Sequence, residues 1–183
     1  MTLYLIGIGL NDEKDISVKG LELVKQADIV YLENYTSKLQ CSKQALDKLY
    51  GKEIQLVERE VVENATAILS QAAYNNIVLL IVGDVFSATT HIALYQEAKK
   101  QGIEVQVVHN ASVLNAIGIT GLELYKFGKT TSIPFHDSDT PIKVIKENGK
   151  LHTLCLLDLT PSENTFMEAS EAIEKLKKSG FDT

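Results

Sequence analysis

The stretch NIVLLIV (Asn76–Val82) is almost entirely apolar, and the turn GDVFSATTH (Gly83–His91) follows it at once. A strand whose residues are apolar without interruption is typical of a central parallel strand that is covered on both faces. The apolar run ends abruptly at Gly83-Asp84, and small or hydroxylated residues then lead into a histidine. The stretch therefore predicts a buried strand at the centre of a sheet, with a strand-to-helix turn at its carboxyl end.

Strands and helices alternate along the chain on either side of this central strand. Such alternation indicates βαβ units, so we predict an α/β fold with a mainly parallel sheet. Asp15 or Ser17 is a candidate cap for the first helix, and Gly51 is placed to end the second. The predicted strands are Leu3–Ile8, Asp28–Glu33, Glu53–Glu58 and Glu104–His109; the predicted helices begin near Ser17 and cover Ser42–Tyr50, Asn64–Tyr74 with Asn64 as its cap, Thr89–Lys100 and Ser112–Ile119.

The pattern changes after Gly121, and we predict two domains, residues 1–125 and residues 126–183. The second part contains a strand-like end within Leu124–Phe135, a polar loop at residues 136–141, a strand at Leu151–Leu159 and an amphipathic helix at Met167–Gly180. Two clear strands are few to bury a core. We therefore expect residues 126–183 to be the start of an incomplete C-terminal α/β domain.

The composition of the 183 residues excludes several classes of function. The net charge of −6 and the pI of about 5.2 disfavour nonspecific nucleic-acid binding, which needs clustered lysines and arginines. The two cysteines, Cys41 and Cys155, favour free thiols in a reducing cytoplasm. The sequence has no membrane-spanning run, no signal peptide, no metal-ligand spacing and no phosphate-binding P-loop motif.

Three turns that follow predicted strands are rich in small and hydroxylated residues: Gly7–Asp12, Gly83–Thr90 and His109–Ser112. Ligands of open α/β sheets lie beyond the carboxyl ends of the strands, so all three turns are expected at one crevice. Asp84 would repel a phosphate there, but its charge suits hydroxyls, an ammonium or a sulfonium. A plain structural interpretation remains open, in which these are only tight strand exits and helix caps.

Individual side chains in these turns carry the same two interpretations. Ser87, Thr89 and Thr90 are candidate caps for the following helix. Ser112 is a candidate cap as well, or the N–H groups of Ser112 and Val113 are free to bond the edge of a ligand's ring. His91 is interpreted as neutral and structural rather than as a general base, because a protonated imidazole is disfavoured at a helix N-terminus. His109 has a similar structural interpretation, and no general base is identified.

Five segments together closely resemble one family of enzymes. They are LYLIGIGLNDEKDISVKGLE, YLENYTS, VGDVFSATTH, VVHNASVLNAIGITGLELYKFGKT and LHTLCLLDL. This series resembles the diphthine synthases, of the eukaryotic type, in the tetrapyrrole-methylase-like class. The resemblance implies methyl transfer from S-adenosylmethionine to a modified histidine of translation elongation factor 2, in diphthamide biosynthesis. For eukaryotic members it implies a trimethylammonium group and a methyl ester. It also implies a homodimer and a cytoplasmic location.

The resemblance also implies a set of cofactor contacts, with further contacts expected beyond residue 183. The sequence departs from the family at Val85, where a proline is usual, and in a shorter segment between Phe135 and Lys143. Two alternatives stay open: a precorrin-type tetrapyrrole methyltransferase, and a noncatalytic truncated paralogue that binds the cofactor or elongation factor 2. The implied cofactor contacts are Leu10, Asp84, Ser87, Ser112, Val113 and Leu157.

Overall fold

The computed structural model describes residues 1–87 and 90–181. The chain forms two compact units, one of residues 1–116 and one of residues 117–183. The domain boundary after residue 125 stays a prediction. No helix in the described part of the chain is long and apolar enough to cross a membrane.

The first unit is built around a sheet of five parallel strands in the order β3-β2-β4-β1-β5. The α/β prediction is thus confirmed, with the apolar strand β4 in the middle. The elements in chain order are β1 (Thr2–Gly7), α1 (Val18–Gln26), β2 (Ile29–Glu33), α2 (Lys43–Tyr50), β3 (Ile54–Val57), α3 (Arg59–Asn64), α4 (Thr66–Ala72), β4 (Ile77–Ile81), α5 (Ile92–Lys100), β5 (Glu104–Val108) and α6 (Val113–Ala116).

Helices cover the sheet on both faces, which explains why β4 is apolar throughout. Ile77, Leu79 and Ile81 pack on one side with residues of α4 and α5, while Val78 and Leu80 pack on the other with residues of α1 and α2. All five β4 residues are fully buried. Since burying one such side chain contributes about 1.5–3 kcal/mol, this strand is a major source of stability for the unit.

Helix ends in the first unit follow the predicted caps in two cases. Ser17 accepts a hydrogen bond from the Gly20 N–H (3.1 Å), so Ser17 and not Asp15 caps α1. Gly51 ends α2 in the left-handed region, with φ of 68°. Few residues other than glycine adopt that conformation without steric cost, so the glycine makes the sharp stop possible.

The helix predicted over Asn64–Tyr74 is confirmed as α4, but its predicted start and cap are wrong, because a second helix, α3, ends there. Asn64 is the last residue of α3 rather than a cap, and Ala65 follows it with φ of 55°. The Asn64 side-chain oxygen accepts a hydrogen bond from the Thr66 hydroxyl (3.0 Å) across the break. The bend lets Val62 of α3 and Ile68 of α4 pack in the same apolar layer, which compensates for the strained residue.

The strands of the second unit form two separate two-stranded sheets, and the core of this unit is small. Strand β6 is parallel to β7, and β8 is antiparallel to β9. Its core cluster has Ile133, Met167 and Ala172 as its buried members. The predicted loop at residues 136–141 runs into a helix that begins at Thr140. Its elements are β6 (Thr131–Ile133), α7 (Thr140–Asn148), β7 (Cys155–Leu157), β8 (Leu159–Thr160), β9 (Thr165–Phe166) and α8 (Ala169–Lys178).

Candidate functional site

The turns that leave β1 and β4 are joined directly through their backbones. The Gly83 N–H donates to the Gly9 carbonyl (2.7 Å), and the Gly9 N–H donates to the Gly83 carbonyl (3.3 Å). A side chain would not fit here, since a Cβ on Gly7 would lie 2.5 Å from the Gly83 carbonyl oxygen. The glycines therefore allow two strand exits to approach more closely than residues with side chains would permit.

Asn110 ties the exit of β5 to the exit of β1. Its side-chain Nδ2 donates to the carbonyl oxygens of Gly7 (3.0 Å) and Asp15 (2.9 Å). Its Oδ1 accepts from the Ala111 N–H (2.7 Å). The predicted convergence of the three turns is therefore confirmed, and Asn110 is a residue that the sequence reasoning did not single out. Its place directly after a strand, between a histidine and small residues, was the available signal.

Asp84 ties the exit of β4 to the exit of β5. Its Oδ1 accepts from the Phe86 N–H (3.1 Å) and the Ser87 hydroxyl (3.2 Å). Its Oδ2 accepts from the Nδ1 of His109 (2.8 Å) and the Asn110 N–H (3.1 Å). A carboxylate has about four acceptor positions, so protein donors already occupy those of Asp84.

The protonation state of Asp84 follows from these contacts. Burial acts to raise the pKa of the Asp84 carboxyl, but hydrogen bonds from His109, Phe86 and Asn110 outweigh it and hold the pKa below its usual value. The side chain is only 11% exposed and is ionised at neutral pH. It thus supplies a fixed negative charge where the three turns meet, as the centre of a hydrogen-bonded junction.

His109 differs from His91 in its exposure. The His109 side chain is 67% exposed and lies edge-on to the Phe86 ring, with the ring centres 6.1 Å apart. His91 is completely buried at the start of α5, with its Nε2 3.2 Å from an oxygen of the buried Glu33. The Tyr35 hydroxyl lies 3.4 Å from the same nitrogen. The structural interpretation fits His91, and for His109, whose ring is exposed but bonded to Asp84, it stays a prediction.

Leu10 and Ser87 both lie close to the junction. Leu10 is partly exposed, and its Cδ2 would be 3.7 Å from a Cβ built on Gly83. The Leu10 N–H is held by the Asp15 carboxylate (3.1 Å), which also holds the next N–H of the turn. The Ser87 hydroxyl donates to Asp84 rather than capping a helix. Thr89 lies outside the described residues, and His91 occupies the cap position of α5.

Ser112 and Val113 begin the short helix α6, and only one of their N–H groups is as predicted. The expectation of a free Ser112 N–H is wrong, because it donates to the side-chain oxygen of Asn115 (2.9 Å). The Ser112 hydroxyl in turn accepts from the Leu114 N–H (3.2 Å), so this serine does cap the helix. The Val113 N–H has no partner among the residues that the structure describes.

Leu157, the sixth expected contact, belongs to the second unit. It is the last residue of β7, where it pairs with Ile133 and packs against that unit's small core. Its contact with a cofactor stays a prediction. Within the described residues, no group of three or more His, Cys, Asp and Glu side chains is arranged to hold a metal ion.

The first unit therefore places five of the expected residues around one point. The common point is Gly83, the residue before Asp84. A Cβ built on Gly83 would lie 3.7 Å from the Leu10 Cδ2 and 3.9 Å from the Ser112 Cα. The surroundings combine an apolar side chain, a backbone N–H donor at Val113 and one fixed negative charge. This chemistry suits a cationic molecule with a polar ring, and it is unfavourable for phosphates.

The three turns meet at the carboxyl ends of an open parallel sheet, which is where ligands of such sheets bind, and comparison with known proteins identifies the class. The sequence model of the tetrapyrrole (corrin/porphyrin) methylases matches residues 2–183. The chain belongs to this family of methylases.

Within the family, similar proteins include diphthine synthases. A probable diphthine methyl ester synthase of Arabidopsis thaliana is 50% identical over 176 residues, which are 90% of this chain and 64% of the plant protein. The diphthine synthase of Methanococcus aeolicus is 46% identical, with 96% of this chain and 72% of that protein covered. A crystal structure of diphthine synthase has a TM-score of 0.94 at 42% identity, and the match covers 98% of this chain and 72% of that one. The chain thus spans less than two thirds of the plant relative's length.

Proposed function

We propose that the protein is an S-adenosylmethionine-dependent methyltransferase that acts on the modified histidine of translation elongation factor 2 in diphthamide biosynthesis. The observation that carries the proposal is the junction of three strand exits around the ionised Asp84, in a chain whose relatives are diphthine synthases. Elongation factor 2 is then the protein substrate. We further propose that the protein is a cytoplasmic homodimer.

The cofactor's chemistry fits the residues that the structure describes. S-adenosylmethionine carries an ammonium, a sulfonium, ribose hydroxyls and an adenine ring, and it has no phosphate. We propose that Leu10 provides an apolar contact and that Val113 donates its N–H to a polar edge of the ring. Asp84 acts by its charge, since its oxygens already accept four hydrogen bonds. Ser87, Ser112 and Leu157 complete the proposed set.

The residues of this chain assist methyl transfer mainly through positioning. When bound, the cofactor supplies a methyl group bonded to a positively charged sulfur. Displacement at that carbon requires the acceptor, the methyl group and the sulfur to lie in line, and alignment alone can supply several kcal/mol. The hydrogen bonds at Gly9, Asp84 and Asn110 join the three turns to one another, and this support favours positioning of the bound substrates.

Mass spectrometry of elongation factor 2 provides the decisive experiment. The substrate protein should carry the unmethylated intermediate and be incubated with the purified protein and S-adenosylmethionine. We expect its mass to rise in steps of one methyl group, and no mass gain would contradict the proposal. Methylation of uroporphyrinogen instead would indicate a tetrapyrrole methyltransferase. Cofactor binding by calorimetry with no transfer to any acceptor would indicate a noncatalytic protein.

The proposed C-terminal domain is a separate part of this assignment. We propose that residues 126–183 are the first part of an α/β domain that is not complete in this chain. The small core of Ile133, Met167 and Ala172 supports this proposal, since so few buried side chains contribute little stability.

A further inference from the structure

The geometry around His109 points to a general base for the transfer to nitrogen: we propose that the Nε2 of His109 accepts the proton of the acceptor ammonium. This inference rests on the proposed function and adds to it the one group that the reaction still lacks. An ammonium has no lone pair, so each methylation of an amine nitrogen requires loss of a proton first.

The hydrogen bond to Asp84 fixes which nitrogen of His109 carries a proton. An ionised carboxylate is only an acceptor, so the Nδ1 that lies 2.8 Å from Asp84 Oδ2 must be the donor. A neutral imidazole protonated at Nδ1 has its lone pair on Nε2. Asp84 therefore holds His109 in the tautomer that can accept a proton at its outer nitrogen, as an aspartate orients the basic histidine of other enzymes.

The position of the ring supports the same role. His109 follows β5 directly, and the next residue, Asn110, joins the junction of the three turns. The ring stays 67% exposed, so its outer edge can reach a substrate and exchange its proton with water. His91, the other histidine of the first unit, is fully buried and cannot. Among the described residues, Asp84 is the charged group that contacts the His109 ring, while Phe86 contributes an aromatic edge.

The proposed step balances in protons and electrons. The N–H bond of the acceptor ammonium breaks, its proton moves to Nε2, and the electron pair stays on nitrogen. That pair forms the new N–C bond as the methyl carbon leaves the sulfonium donor, whose sulfur keeps the electrons of the broken S–C bond. His109 then releases this proton to water.

Transfer to a carboxylate provides an internal control, because a carboxylate already has its attacking lone pair. We would prepare elongation factor 2 with the unmethylated amine and with the trimethylated amine, whose carboxylate is the remaining acceptor. His109→Asn keeps an amide N–H close to the place of Nδ1, so it can still bond Asp84, but it has no basic nitrogen. At pH 7 we expect its single-turnover rate of N-methylation to fall about tenfold, because only about one-tenth of an α-ammonium is unprotonated at that pH without a base. We expect its rate of ester formation to stay within about twofold of wild type.

The pH dependence sharpens the test. The N-methylation rate of His109→Asn should recover as the pH rises above about 8, where an α-ammonium loses its proton to water without help. His136→Asn, at an exposed histidine of the second unit, is the matched control and should behave like wild type. An equal loss in both reactions would mean that His109 has only a structural role. No loss in either reaction would also overturn the proposal.

A measurement without turnover tests the geometry on its own. Nitrogen-15 NMR of wild type should show that the neutral ring of His109 carries its proton on Nδ1 and not on Nε2, and this preference should weaken in Asp84→Asn. The opposite tautomer in wild type would overturn the inference even if the methyltransferase activity is confirmed. Conversely, wild type that transfers no methyl group to either acceptor would overturn the proposed function, and the role of His109 would fall with it.

Discussion

Replacement of Asp84 by asparagine should loosen the junction on which the crevice depends. The side chain keeps its size, but an amide has one acceptor oxygen and one donor group in place of two acceptor oxygens. Either the pair formed by Phe86 and Ser87 or the pair formed by His109 and Asn110 then faces an N–H group. In either orientation one backbone N–H, of Phe86 or of Asn110, loses its acceptor, whereas the Ser87 hydroxyl or the His109 Nδ1 can turn to accept from the amide.

The size of the effect can be worked out from these contacts. A hydrogen bond to a charged group contributes about 1.5–3 kcal/mol, and loss of the carboxylate charge also weakens the three bonds that remain, so the total is about 3–6 kcal/mol. The exposed His109 recovers part of this through water, and we expect a net loss of about 2–4 kcal/mol. For a chain of this size each kcal/mol lowers the Tm by about 2–4 °C. The Tm of Asp84→Asn should therefore fall by roughly 10 °C.

Thermal unfolding, monitored by circular dichroism, measures this shift in Tm, with Glu174→Gln on the exposed face of α8 as the control.

The folded-state pKa of the Asp84 carboxyl is lowered, because its hydrogen bonds outweigh the effect of burial. Its stabilisation is therefore complete above the unfolded value of about 3.9 and is lost as the pH falls through the lower folded value. The difference in Tm between wild type and Asp84→Asn should therefore disappear at acidic pH. A Tm within about 1 °C of wild type at pH 7 would refute this account of the junction.

Three further substitutions test the same structure at other points. Gly7→Ala should lower the free energy of unfolding, measured in urea, by about 1–3 kcal/mol, because its Cβ would lie 2.5 Å from the Gly83 carbonyl oxygen. The control is Gly118→Ala, whose Cβ meets nothing within 4 Å, and equal losses of stability in the two variants would contradict the close approach. Asn110→Ala should lower the free energy of unfolding by about 2 kcal/mol and weaken S-adenosylmethionine binding measured by calorimetry. Unchanged affinity would show that the Asn110 hydrogen bonds do not shape the binding site. Asn148→Ala breaks three hydrogen bonds inside the second unit and should raise amide exchange around Lys129, and unaltered exchange there would argue against that network.

The central strand and the meeting of the three turns were predictable from sequence for simple reasons. A run of apolar residues has a place only where both faces of a sheet are covered, and β4 occupies that place. Parallel strands direct their carboxyl ends to one edge, so turns that follow them must come together. These conclusions depend on the type and order of residues, which a single sequence contains in full.

The roles of individual side chains were less predictable, because they depend on contacts between distant residues. Asp84 was expected to offer its carboxylate to a ligand, but donors from positions 86, 87, 109 and 110 fill it. The free N–H expected at Ser112 is taken by Asn115 for a similar reason. The break at Ala65 was missed because alanine favours helices, and only packing of the two flanking helices on one layer justifies its positive φ.

The hydrogen bond between Asn110 and Gly7 also has a consequence for how the protein folds during synthesis. It joins residues 103 positions apart, and within the described part of the chain β1 pairs with β4 and β5, which are made late. At about 5–20 residues per second, the first strand waits roughly 5–20 s after translation before its last partner exists. An apolar strand without neighbours is prone to pair with other chains during that interval. The nascent protein should therefore depend on chaperones until β5 has been made.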